Sequence, residues 1–556
     1  MKPKIFPLGL ALVCALALFL RLYDLGAESF WGDEINMIRF SRGERPLELS
    51  FGNALLYLPL LRLFGGDGAS EFAFRLPAAL FGAATVPLVA LLGLRWDGRR
   101  SAALLAALFV ALAPAHLALS QETHSYAAFV FFVVAALLCA ERAGRGGGWI
   151  PWLGFAALAG IATHLHLFLF FLMPPLFGAA LLARGHLRRP TRQELAWGAS
   201  ASALYLLIVS PLLWRWVLPL LGGLVAKTSG AQDTGVDYFD SHKHLFQIDL
   251  ELFAKAFREL IAWRGPFLVV IGAAAALLLL GLWALYRRRP ASAGLILLFV
   301  VLALPPITYF SWQSGIDFGT RRLLFLLPLF ALALAAGCLE LGRLLAAALR
   351  RPADAELAGV AAGLVAALVY GGSATAGYYF GETKWDLRST GRLIDLEAKP
   401  GDEILVFTLD RLSLYRPPKK EDGFGLHEVW WYRKNLNLEQ LPPRLMVFWP
   451  AAFVADRFGE LDAMLKARGA IDIPLGTGFQ LTVLERDGSP AERRAKAREL
   501  VERLIAIKGE RPYLRARLAT LHLEDGHQQE AMAEQAKADR RSLRGRFPTR
   551  YFFFGW

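Results

Sequence analysis

The sequence predicts a polytopic α-helical membrane protein of about eleven transmembrane helices, followed by a C-terminal soluble α/β domain and a terminal helical hairpin. Three observations lead there. Apolar residues come in runs long enough to cross a bilayer, which takes roughly 20 residues per helix. Basic residues cluster at the ends of every second run. The composition changes abruptly after Phe380. Across 556 residues, 55% are hydrophobic and the mean hydropathy is +0.39, too apolar for a string of soluble domains.

Apolar spans fall near 5–22, 72–94, 101–119, 125–142, 149–166, 168–184, 195–213, 266–286, 292–310, 322–345 and 356–377. The stretch 149–184 reads as two spans or as one long broken helix, because Pro174 and Pro175 lie inside it. Lys2 and Lys4 precede the first span. Arg99 and Arg100 follow the second, Arg142 and Arg145 the fourth, and Arg184, Arg188, Arg189 and Arg192 the sixth. Arg287 to Arg289 follow the eighth, and Arg350 and Arg351 the tenth. Under the positive-inside rule these are cytoplasmic loops. The N-terminus is then inside and everything after Phe380 outside. The first span is read as retained, since no small-residue cleavage site follows it.

The net charge of +13 invites a nucleic-acid reading, but the excess sits at span ends, so no nucleic acid is expected. Cys14, Cys139 and Cys338 all fall inside apolar runs, which argues against a disulfide framework.

The reading has three domains: 1–380 in the membrane, 381–488 an outer α/β domain, and 489–556 a hairpin with an aromatic tail. Asp402–Asp410, Arg444–Pro450 and Phe479–Arg486 read as strands, with helices around 385–397 and 455–468. From about Pro490 to Arg541 the pattern is helical and resembles one tetratricopeptide-like hairpin. The tail Tyr551–Trp556 is suited to a membrane interface or a domain surface.

On this topology the polar residues gather on one face. Asp33 and Glu34, in ESFWGDEINMIRFSRG, stand a few residues past the first span. A carboxylate pair beside an apolar phase is costly unless solvated, paired or metal-bound. The plain reading is a loop pair or acids capping a short helix that begins near Ile35. The functional reading is a general base, and one acid only would face the site, since helical neighbours point about 100° apart. SQETHSY, Ser120 to Tyr126, puts Glu122, His124 and Tyr126 at an outer turn, dense enough in hydrogen-bonding groups to hold a sugar or a phosphate. His164 and His166 are two residues apart, which on a helix sends them in different directions, so hydrogen bonding is favoured over metal binding. Arg321 and Arg322 open the tenth span at its outer end. There they either snorkel to headgroups or clamp the phosphate of a membrane lipid.

With these motifs in order, the chain resembles the GT-C superfamily of membrane glycosyltransferases, in its protein O-mannosyltransferase and aminoarabinose-transferase-like group. The likeness runs over roughly the first 400 residues. FWGDE resembles the acidic motif of the first outer loop, and FRLPAALFGAATVPLVALLG, from Phe74 and Arg75, the Arg-Leu-Pro opening of the second span. APAHLALSQETHSYA resembles the Ser-Gln-Glu-x-Arg-x-Tyr motif, and RRLLFLLPLFALALAAG the Arg-Tyr-Leu-Leu-Pro stretch. KWDLRSTGRLIDLEAKPGDEILV resembles the Asp-Trp-Arg segment after the last span. His124 stands where the family often has Arg, and Arg322 where Tyr is common.

The resemblance implies inverting transfer of a sugar from a polyprenyl-phosphate-linked donor to a lipid, glycan or protein acceptor on the outer membrane face. It makes Asp33 the base, with Glu34 its neighbour. By the same motifs Glu122 and Tyr126 fall at the site and Arg321 or Arg322 near the donor phosphate; together with the residue reading above, Arg321, Arg322, His124 and Tyr126 are expected toward donor phosphate, and Glu122, His164 and His166 toward acceptor or sugar. No cofactor is required by the pattern, and a divalent cation is left open. Membrane lipids are the other expected partners, and a bacterial inner membrane the expected location, with site and C-terminal domain periplasmic. Two other readings compete. A lipid-linked sugar transporter or flippase would show inverted repeats and mid-span charges. A non-catalytic membrane scaffold would use its outer domain to bind partners.

Overall fold

The computed structural model describes residues 5–45, 55–66, 70–183, 191–218, 268–314, 320–372, 375, 386–407, 409–417, 419, 422–429, 442–450, 459–476 and 479–540. The loop beyond residue 218, positions 315–319 and the aromatic tail lie outside them. The chain divides into two units. One holds residues up to Leu25 and Met37–Thr375. The other holds Gly26–Asn36 together with the chain from Ala376 onward.

The first unit is helical. Its long N-terminal elements are α1 (Ile5–Leu22), α4 (Glu71–Trp96), α5 (Arg100–Leu112), α6 (Pro114–Ser120), α7 (Tyr126–Gly144), α8 (Trp149–Leu165), α9 (Leu169–Ala183) and α10 (Arg192–Leu212). The shorter α2 (Gly32–Arg42) and α3 (Leu58–Gly65) lie between α1 and α4. Helices Leu268–Arg288, Pro290–Ser314, Leu327–Ala348 and Ala355–Ala367 follow. Among the described residues, six helices are long and apolar enough to cross a membrane, or seven when the bent pair α5–α6 counts as one. α8 and α9 are apolar but shorter. Among the described residues, six or seven of the eleven expected spans meet that length and composition.

Two expected features are refined. The run 149–184 is two helices, broken at His166 to Phe168, with Pro174 and Pro175 inside α9. The run 101–119, expected as one span, is broken by 57° between α5 and α6. Pro114 has no N–H and its ring excludes the straight continuation.

Leu327–Ala348 is the innermost helix; Leu327 through Glu340 are all buried. Apolar side chains offer helices little preference over lipid, so close backbone approach through small residues matters. Gly281 fits against Ala333 and Gly337, and Gly342 against Gly359, where a Cβ would meet backbone atoms. α1 is the opposite case. Its Leu8, Leu12 and Phe19 are exposed, as on a lipid-facing surface.

The second unit is built on a five-stranded mixed sheet of β1 (Glu403–Val406), β2 (Gly425–Glu428), β3 (Arg444–Pro450), β4 (Ile471–Gly476) and β5 (Phe479–Glu485), in the order β2-β1-β3-β5-β4. β1 runs parallel to both neighbours, with Glu403 opposite Gly425 and Leu445. β5 runs antiparallel to β3 and β4. Leu405, Val429, Leu445, Val447, Trp449, Leu461, Leu465 and Leu484 form its core. Arg444 is buried and bonds the Asp402 carboxylate at 2.5 Å, so its charge is compensated where water is excluded. β2 and β4 were not expected from sequence. Both are edge strands, and Pro474 with an irregular register at Gly476 blurs the alternation of β4. Helices Pro490–Lys508, Pro512–Glu524 and Gln528–Arg540 complete the unit. The first opens on a Ser489–Glu492 capping box and ends at Gly509, whose φ is 76°.

Candidate active site

In the helical unit, the break between α5 and α6 sets the position of the SQETHSY turn. Breaking the helix frees carbonyls, and Arg21 takes them. Its guanidinium donates to Ala17 O at 3.0 Å, Ala111 O at 3.3 Å and Val110 O at 3.2 Å, and faces His116 Nδ1 at 2.8 Å. Arginine carries donors only, so Nδ1 accepts. Next to it, Gln121 Nε2 donates to the carbonyls of Leu20, Arg21 and Tyr23 at the end of α1. Gly82 leaves the room this needs, for a Cβ there would run into Ser120 Oγ.

The turn that follows carries Glu122, His124 and Tyr126. Glu122 is buried, and its carbonyl accepts from His124 N–H at 2.7 Å. Ser125 Oγ donates to Leu165 O at 2.9 Å, which ties the turn to the end of α8. The His124 and Tyr126 rings stack with centroids 4.1 Å apart and 10° between planes. Tyr126 lies 5.8 Å from the ring of His166, centroid to centroid. His166, at the break between α8 and α9, also packs on Phe129 and Phe168.

Arg322 joins this group from the short helix Thr320–Leu323. Its Nη1 is 3.2 Å from His166 Nε2, and its guanidinium lies over the Phe168 ring at 5.1 Å. The result is a chain of planar groups, His124, Tyr126, His166 and Arg322, in which a guanidinium is pre-oriented by an aromatic face and an imidazole. A guanidinium so held is suited to a phosphate. Arg321 precedes it by one helical step. His164 is turned the other way, with Nε2 2.9 Å from Ile208 O on α10. The i,i+2 spacing separates the two histidines as helix geometry requires. Arg75 is buried and donates to Leu25 O at 3.0 Å. Among the described residues no group of three or more His, Cys, Asp or Glu is arranged to hold a metal ion.

Asp33 and Glu34 are found in the second unit. Both lie in the first turn of α2, which starts at Gly32, three residues earlier than expected. Glu34 is fully buried and its Oε2 accepts from Trp31 N–H at 3.1 Å, so it caps its own helix. Asp33 is half-buried. The preceding residues are held by side chains from the C-terminal part of the chain: Ser29 by Asp386, and Phe30 by Tyr415.

Sequence reasoning missed Arg21, His116, Phe168, Asp386 and Tyr415 as parts of these arrangements. His116 could have been found, since an ionisable residue within an apolar run is costly and calls for a partner. Tyr415 could not, because it lies 385 residues from its partner Phe30.

Residues 55–215 match the family model described as dolichyl-phosphate-mannose-protein mannosyltransferase. That stretch contains Glu122, His124, Tyr126, His164 and His166. No curated protein matches the chain. Solved structures that match include two crystal structures of ArnT from Cupriavidus metallidurans, one apo and one bound to undecaprenyl phosphate. Each is 15% identical, and the match covers 85% of this chain and 97% of that one, with TM-scores of 0.47 and 0.41. The motifs and the family match point the same way, to a likeness with polytopic membrane glycosyltransferases of GT-C type.

Proposed function

We propose that this protein transfers a sugar, with inversion, from a polyprenyl-phosphate-linked donor to a lipid, glycan or protein acceptor at the outer face of a bacterial inner membrane. The observation that carries the reading is the mannosyltransferase match over 55–215, the stretch whose aromatic and imidazole groups meet Arg322. Its described donor class is a sugar on a lipid phosphate, and Arg322 has the chemistry to receive that phosphate.

On this reading the reaction is a single displacement, with Asp33 and Arg322 each given a separate role. The acceptor hydroxyl or amine attacks C1 of the sugar while the C1–O bond to phosphate breaks. Asp33 takes the proton from the acceptor. The electron pair of the broken bond goes to the phosphate oxygen, where Arg322 stabilises the negative charge. A single displacement inverts the anomeric centre. Glu34, turned inward to Trp31 N–H, holds the helix that carries Asp33.

The test compares glycolipids and glycoproteins of cells with the protein, without it, and with the Asp33→Asn form at equal membrane levels. One glycosylated product should be present in the first and absent from the other two. Identical profiles in all three would overturn the proposal. A lipid-linked sugar that accumulates on the inner membrane face in the knockout would favour transport instead.

A further inference from the structure

The stretch Gly26–Asn36 carries both candidate acids and packs as part of the C-terminal unit. Its contacts are specific. Ser29 Oγ donates to Asp386 Oδ1 at 3.0 Å and accepts from Arg388 N–H at 3.2 Å. Arg388 also donates to Ala27 O at 2.6 Å. Phe30 N–H donates to the Tyr415 hydroxyl at 2.5 Å, and the two rings stack with centroids 6.3 Å apart. Ser29 and Phe30 are buried at 2% and 4% exposure. Arg411 lies against Gly32, with its guanidinium where a Cβ would stand.

Asp386 is itself fixed. Ser389 N–H donates to it at 2.9 Å, and Lys508 Nζ lies 3.0 Å from its other oxygen. Lys508 comes from the last turn of Pro490–Lys508 and also donates to Leu475 O on β4 at 2.6 Å. Segments far apart in sequence thus converge on the residues immediately before Asp33. Ser29, Phe30, Asp386, Tyr415 and Lys508 are not among the residues of the sheet core, which lies around Trp449 and Leu405.

We infer that the C-terminal unit positions the Asp33 loop for proton transfer: Ser29, Asp386 and Tyr415 are positioning residues for Asp33, and Lys508 holds Asp386. The inference rests on Asp33 being the base and adds a role in turnover for the C-terminal unit. A general base must stand within hydrogen-bond reach of the proton it takes, and a displacement of about 1 Å costs roughly 100-fold. A loop of nine residues between α1 and α2 has no secondary structure of its own to supply that accuracy.

The experiment uses the purified full-length protein in detergent, with polyprenyl-phosphate mannose as donor probe. Tyr415→Phe removes the hydroxyl that accepts Phe30 N–H and keeps the ring; Ser29→Ala removes the link to Asp386. Hydrogen exchange is followed in 26–36 and in 390–397, together with kcat and donor KM. Both variants should exchange faster in 26–36, keep their protection in 390–397, beyond the Arg388 N–H that Ser29 accepts, and lose about tenfold or more in kcat with donor KM unchanged. Faster exchange with unchanged kcat would overturn the inference, as would unchanged exchange. Equal loss of protection in both segments would mean a fold defect and likewise overturn it. A wild-type protein that transfers nothing from this donor or from the same carrier with other sugars, while the variants loosen the loop, would overturn the proposed function and the positioning role with it, leaving docking alone.

Discussion

Arg21 and His116 face each other at 2.8 Å, both fully buried, where α5 breaks into α6. The break exposes carbonyls inside a helical bundle, and the guanidinium spans two of them while holding the imidazole of the next turn. Arg21→Lys keeps the charge but gives up the planar fork. Each buried acceptor left unmade costs roughly 1–3 kcal/mol. Arg21→Lys should therefore lower the unfolding temperature in detergent, and Arg21→Ala more so. Gly82→Ala should act in the same direction through Ser120, measured by the same melt.

Asp386 gives a pH dependence. Burial by itself would raise its carboxyl, but the Lys508 ammonium and hydrogen bonds from Ser389 and Lys508 outweigh that and bring it to about 2, against an ordinary 3.8. The folded value is the lower one, so the contribution is present above pH 4 and is lost as pH falls from about 4 toward 2. The shift corresponds to about 2 kcal/mol. Asp386→Asn should be less stable at pH 7 and flatter in its acid dependence, read from exchange in 387–397 against pH. A parallel acid limb in both proteins would refute this.

Asp33→Asn should keep the fold and lose about 10²–10⁴-fold in transfer, since Asn matches Asp in shape but takes no proton. Glu34→Gln should instead act on stability, because Glu34 caps α2 through Trp31 N–H. Caps are worth roughly 0.5–2 kcal/mol. Turnover and melting of the two purified variants separate the roles, and a near-normal rate for Asp33→Asn would remove it from the chemistry.

Arg322→Ala should impair donor use far more than Arg321→Ala. Arg322 meets His166 and Phe168, and adjacent helical residues point apart. A charged hydrogen bond to phosphate is worth roughly 1.5–3 kcal/mol, or about ten- to a hundredfold in donor KM or kcat/KM. Arg322→Lys should recover only part of it. Equal small effects would return both residues to headgroup snorkelling.

A periplasmic reporter fused near Gly401 should be active if, as the proposed topology read from the alternating basic loops has it, the chain after Phe380 is outside. A cytoplasmic result would mean that the span count is odd by one, most simply at α8 and α9, which are short for a bilayer.

The sequence by itself determined the class. Apolar run length is set by bilayer thickness and loop charge by the positive-inside rule, so helices, basic ends and the change at Phe380 were legible without coordinates. β1, β3 and β5 were legible for a similar reason, since interior strands read as nearly continuous apolar runs. Spacing alone also separated His164 from His166. Only the tertiary structure decided which His meets Arg322, that Glu34 turns inward while Asp33 stays half-buried, and that Arg21 fills the break at Pro114. The largest such decision is the Asp33 loop, sequestered by Asp386 and Tyr415 more than 350 residues away. Local propensity and periodicity act over a turn or two of chain. Contacts between distant segments depend on how whole elements pack, and no short window of sequence carries that information.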